Sequence, residues 1–195
     1  TSIYARLNLD WIPPELREDR GEIEAAAEDG LPHLVREDDI RGDLQCHTTA
    51  SDGQDSIRDM ARAARERGWQ YLAITDHSKR VTMANGLDDD GARRHAEKIR
   101  ACNAEFEDFL LLAGIEVDIL KDGSFDLEEK TLAELDWVVG SIHYDLELDK
   151  SATTDRIVAA VRSGMLHCLG HPLGRIIGRR DPIAVDLDQL FEVCA

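Results

Sequence analysis

Gly42-Asp43-Leu44-Gln45-Cys46-His47-Thr48-Thr49-Ala50-Ser51-Asp52-Gly53 reads as a short strand that runs straight into a polar loop. His47 falls at the end of the strand and Asp52 just beyond it on the loop. Imidazole and carboxylate are both metal-ligand types, and strand ends are where (β/α) proteins carry their chemistry. The same event recurs along the chain, each time as an apolar, β-type run that ends in His or Glu. The runs are Tyr71 to His77, Leu110 to Glu116, Trp137 to His143 and Met165 to His171. Successive parallel strands present their C-terminal ends on one face, so His47, His77, Glu116, His143 and His171 are expected to converge there on metal. Taken singly, a histidine after an apolar run is usually only a satisfied polar strand end. The recurrence at every strand end is what argues for a multinuclear site.

The segments between these runs carry helical spacing. Asp55 to Gly68 places Ile57, Met60, Ala61 and Ala64 on one face, with Gly68 as C-cap. A helix is expected from Asp88 to about Asp108, a short one over 127–134, one over 153–163 and a last one from Asp186. Val117 to Leu127 alternates about Asp122-Gly123, a hairpin signal. Strand, helix, strand in alternation predicts an α/β fold with a parallel sheet and about five β/α units. Residues 1–40 are polar and acidic, with Pro13-Pro14 giving an extended entry and Glu22 to Ala26 a short helix, and read as a connecting arm.

The chain has 195 residues and a net charge of −17, a field that opposes nucleic acid. An anionic substrate would have to be held by metal cations and a local basic patch. Arg175, Arg179 and Arg180 lie in a Gly-rich loop just past His171 and read either as phosphate holders or as a solvated charge cluster, as do Lys79 and Arg80 after His77. Asp76, next to His77, reads as a carboxylate behind the ligands, a direct ligand or a helix N-cap. His95 is expected to face solvent, His33 to lie on the surface and His167 to sit in the core. Cys46, Cys102, Cys168 and Cys194 are widely spaced, with no C-x-x-C, and read as buried free thiols of a reducing cytosol. No apolar run approaches the length of a membrane span, so no membrane partner is expected.

The ordered set 42–53, Thr75-Asp76-His77, Gly114-Ile115-Glu116-Val117-Asp118, Ser141-Ile142-His143 and Gly170-His171-Pro172 resembles the PHP (polymerase and histidinol phosphatase) family over residues 41–195. Ile12 to Arg17, Arg20 to Ala26 and the loop 174–181 resemble the bacterial family X DNA polymerases, where the polymerase thumb ends and the PHP domain begins. The resemblance implies a distorted (β/α)7 barrel, here cut to about five units because the closing Asp-x-His motif is not reached before Ala195. It also implies a site for up to three divalent metals, Mn2+ or Zn2+. Ligand roles pass to Gln45, His47, Asp52, His77, Glu116 as the bridge, His143 and His171. Gln45 departs from the usual histidine, although family X members sometimes carry glutamine there. Asp76, Arg175 and Arg179 take catalytic roles in phosphoester hydrolysis. The implied activity is 3′-5′ exonuclease and 3′-end trimming at DNA gaps in repair, in a bacterial cytosol and beside a polymerase domain of the same parent chain. The rival readings are a small-molecule phosphatase of the histidinol-phosphate type and a non-catalytic module that binds metal only to brace its fold.

Overall fold

The computed structural model describes residues 3–195, which divide into two compact units, one ending at Ile40 and the other running over Arg41–Ala195. The first unit contains α1 (Ile3–Leu7), a 3-10 turn over Pro14–Leu16, α2 (Glu22–Ala27) and a second 3-10 turn over Glu37–Asp39. Its chain is tied by one arginine: Arg17 donates to the Ile12 carbonyl at 2.9 Å and lies 5.3 Å over the Tyr4 ring.

The second unit alternates strand and helix as β1 (Gly42–Cys46), α3 (Ile57–Glu66), β2 (Tyr71–Ile74), α4 (Asp89–Asn103), β3 (Leu110–Asp118), α5 (Glu129–Leu132), β4 (Trp137–Ser141), α6 (Lys150–Arg162), β5 (Cys168–Leu169) and α7 (Leu187–Cys194). The five strands form one parallel sheet in sequential order. Local chemistry sets the helix ends. Ser56, Asp88, Asp149 and Asp186 each accept a hydrogen bond from a backbone N–H of the first turn, and Gly68 takes φ +77° beyond α3, where a side chain would be strained. The hairpin after β3 turns on Gly123 at φ +86°, with Ile119 paired antiparallel to Phe125.

Leu72, Ile74, Leu111, Ala113 and Ile115 of the middle strands pack with Ala61 and Ala64 of α3 and Ala92, Ala96 and Ile99 of α4. A second cluster joins Ile119 and Ile142 to Ile157 of α6 and Leu190 of α7. Strands lie about 4.8 Å apart, so a flat sheet would hold β1 and β5 about 19 Å from each other. Instead the Gln45 amide of β1 lies beside Gly170 at the end of β5. The sheet is therefore curled into a half-barrel, the α/β architecture expected, and the curl brings its strand ends to one place.

Four expectations are corrected. His95 is 5% exposed, because it shares the inner face of α4 with Ala92, Ala96 and Ile99. His167 is exposed; it precedes β5, stacks on Trp137 with ring centroids 5.4 Å apart and accepts from the Val138 N–H. β5 is shorter than the run 165–171, since among the described strands it pairs only with β4. All four cysteines are free, but Cys168 and Cys194 are exposed rather than buried.

Arg156 of α6 is 2% exposed and donates to the carbonyls of Leu120 (2.9 Å), Tyr144 (3.1 Å) and Asp145 (3.2 Å), and also to that of Ile119. It pins the loops after β3 and β4 together. Arg156→Met leaves those acceptors unpaired and is expected to lower unfolding stability by about 3 kcal/mol, read as a fall in the urea midpoint.

Candidate metal centre

Glu116 projects from β3, the central strand, and is 1% exposed. Its Oε2 lies 3.1 Å from His47 Nε2 and 3.2 Å from His77 Nδ1, and its Oε1 lies 3.0 Å from His171 Nε2 and 3.4 Å from His143 Nε2. The imidazoles that follow β1, β2, β4 and β5 thus meet on one carboxylate. Their rings form a chain of edge-on contacts, with centroids 4.3 Å apart for His47 and His77, 5.1 Å for His77 and His143, and 5.2 Å for His143 and His171. Asp52 joins from the first loop, 2.7 Å from His47 Nδ1 and 3.5 Å from His77 Nε2.

Among the described residues, two groups are close enough to share an ion: His47 with Asp52 and His77, and His77 with Glu116 and His143. His171 reaches Glu116 from β5 with its backbone at φ +27°, a strained value for a residue with a side chain, held by the Gly174 N–H to the His171 carbonyl. Gln45 makes no side-chain hydrogen bond to this cluster; its amide turns towards Gly170.

Asp118, two residues along β3 from Glu116, is fully buried with its Oδ2 3.4 Å from His143 Nδ1. It has no place among the ligands expected from the sequence. The signal was its position: residues two apart on a strand share a face, so Asp118 had to point where Glu116 points. Asp76 and His77, being adjacent, point oppositely. Asp76 is fully buried and accepts from the Thr48 N–H (2.8 Å), Thr48 Oγ1 (2.8 Å), Ser51 Oγ and His95 Nε2 (2.8 Å). Burial alone would raise its carboxyl, but His95, Ser51 and Thr48 hold it at about 2. Its oxygens face the first loop, whose shape they fix, and are not free for substrate. Arg175 and Arg179 lie on an exposed loop around a cavity of about 240 Å³, while Arg180 is turned inward to the Gly174 carbonyl at 2.6 Å.

Residues 43–187 match the family described as the PHP domain. The chain belongs to the PHP-domain family. It is 43% identical over 190 residues to "DNA polymerase/3'-5' exonuclease PolX" of Bacillus subtilis (strain 168), an alignment covering 97% of this chain and 33% of that protein. It is also 29% identical over 134 residues to a "Probable phosphatase" of Photobacterium profundum, covering 67% of this chain and 52% of that one. "Probable phosphatase YcdX" of Escherichia coli O9:H4 (strain HS) is 28% identical over 134 residues, with coverage of 67% and 52%. The PHP chain spans about a third of the first relative and about half of the phosphatases. PHP domains are metal-dependent phosphoesterases, so the chain is of a hydrolase family. Among the described residues, no helix is long and apolar enough to cross a membrane.

The side chains of this PHP chain fit divalent ions. Among the described residues, His77 Nδ1, His143 Nδ1 and Asp118 Oδ2 are buried without a hydrogen-bond partner, although carboxylates stand within 3.4 Å of both imidazole nitrogens. Poorly aligned imidazoles and carboxylates at such distances are what a shared cation satisfies. Burial alone would raise the Glu116 carboxyl, but His143, His171, His47 and Ser141 hold it far below the usual range. Burial opposes charge on His47 and His143, yet the adjacent carboxylates outweigh it, Glu116 and Asp52 beside His47 and Asp118 and Glu116 beside His143, and push both up to about 9. Burial, with the neighbouring imidazoles, lowers His77.

Without metal, His47 and His143 therefore carry protons at neutral pH that ions must displace. Their raised values stabilise the metal-free fold below about pH 6.5, a contribution lost as pH rises towards 9. The metal-free protein is expected to melt lower at pH 9 than at pH 6.5. Its affinity for Mn2+ should rise over the same range, by roughly tenfold per pH unit for each proton displaced. Melting curves with chelator and calorimetry in buffers of different ionisation enthalpy check the two opposite trends.

Proposed function

We propose that this chain is the phosphoesterase portion of a family X DNA polymerase and that it removes nucleotides from DNA 3′ ends during repair. Residues 1–40 are then the arm from the polymerase thumb and 41–195 the PHP domain proper, and the polymerase portion of the same polypeptide grips the duplex. The observation that carries this reading is the 190-residue alignment with the polymerase/exonuclease. It covers 97% of the 195 residues and so must enter the arm, whereas the 134-residue phosphatase alignments are short enough to lie within 41–195.

In this reading His47, Asp52, His77, Glu116, His143 and His171, with Gln45 at the rim, hold up to three Mn2+ or Zn2+ ions, with Asp118 orienting His143. When bound, such ions supply Lewis acidity that activates water and neutralises charge on the phosphoryl group. The chain's own side chains do the rest. Glu116 fixes the imidazoles relative to one another from a site closed to solvent. Asp76 acts as a positioning residue, holding the loop that carries Asp52. Arg175 and Arg179 have no ion pair among the described residues and supply positive charge to non-bridging oxygens, offsetting the net −17.

The full polypeptide that carries this chain is expected to release nucleotides from a 3′-recessed primer with Mn2+. His143→Ala should slow release by roughly 100-fold or more while leaving polymerisation intact. Phosphate release from mononucleotides without primer trimming would instead support the small-molecule phosphatase. No turnover from a metal-loaded wild type would leave the bracing module.

A further inference from the structure

The cations next to His77 are engaged elsewhere. Lys79 Nζ lies 3.1 Å from Asp89, and Arg80 lies 2.7 Å from Asp145 with its guanidinium 5.1 Å over the Tyr144 ring. Lys121 differs. It sits on the exposed turn after β3 and, among the described residues, has no carboxylate within ion-pair distance, in a chain with 40 acidic and 23 basic residues. An unpaired ammonium in so acidic a protein is free for an anion.

Lys121 lines a cleft of about 520 Å³ whose opposite wall runs from His143 to Leu148. The cleft therefore opens beside an imidazole of the Glu116 cluster, and its size suits a small organic ligand. Tyr144 on that wall is half-buried, with Arg80 against its ring. Arg80 also neutralises Asp145, which leaves Glu147 as the wall's uncompensated carboxylate. The two walls are preformed, because buried Arg156 ties the Leu120 carbonyl to those of Tyr144 and Asp145. A rigid cleft loses little entropy when filled.

An ammonium and a guanidinium-backed aromatic ring together match a phosphate joined to a flat base. We propose that this cleft holds one nucleotide unit of the strand being cut, with its phosphate on Lys121 and its base stacked on Tyr144. The assignment rests on the nuclease reading and names a substrate subsite for it. Stacking on an aromatic face tolerates every base, so little base preference is expected.

The test is dAMP binding to the 195-residue protein by titration calorimetry, with and without Mn2+, beside primer trimming by the full polypeptide. Lys121→Ala and Tyr144→Ala are each expected to raise the dAMP Kd and the primer KM by about tenfold with metal content unchanged. Tyr144→Phe should bind as wild type, and Glu147→Gln should bind more tightly. Wild-type affinity in Lys121→Ala and Tyr144→Ala, or no dAMP binding by the wild type, overturns the cleft assignment even if primer trimming is normal. The expected binding pattern without primer trimming keeps the cleft and rejects the nuclease.

Discussion

A carboxylate taken out of water loses more hydration energy than any single neighbour returns, so a buried one persists only where several groups converge on it. Glu116 is 1% exposed on the central strand, and four imidazoles stand within 3.4 Å of its oxygens. Those imidazoles follow four different strands. Satisfying this one carboxylate therefore requires the sheet to curl, the strands to keep their order and each strand to end in register with its neighbours. The parallel pairing of Glu116 with Val139 and its bridge to His77 set that register at the site itself. Fold and site are in this sense one constraint.

A second buried carboxylate does for the first loop what Glu116 does for the strand ends. Asp76 lies behind the cluster and gathers Thr48, Ser51 and His95. The loop is thereby held so that Asp52 returns to His47, and Gly53 fits closely against the His47 carbonyl, with no room for a Cβ. Rigid support behind a ligand set fixes ring orientation and raises affinity for the ion. The strained backbone of His171, at φ +27°, is the counterpart at the other end of the sheet.

Much of this was readable in the residues. Strands ending in His or Glu gave the β/α alternation and the convergence, because parallel strands leave no other place for their ends. What stayed hidden depends on which way side chains point. His95 sits among charged residues in sequence, yet the 3.6-residue period turns it inward with Ala92 and Ile99. Asp118 was equally reachable from the two-residue strand period through Glu116. The pairing of Arg80 with Asp145, 65 positions apart, has no local signal at all, and neither does the freedom of Lys121. The first joins the loops after β2 and β4, and Lys121 stands on the turn after β3 that Arg156 ties to the β4 loop.

The proposed chemistry of this chain depends on Glu116 as the centre of a metal-binding cluster. Elemental analysis of the purified protein after dialysis, wild type beside Glu116→Gln, addresses this most directly, with circular dichroism to verify the fold. Two ion-sized groups share His77, so the wild type is predicted to retain about two divalent ions per chain and the folded variant to lose most of them. A folded variant that keeps the wild-type metal content would contradict the central place given to this carboxylate.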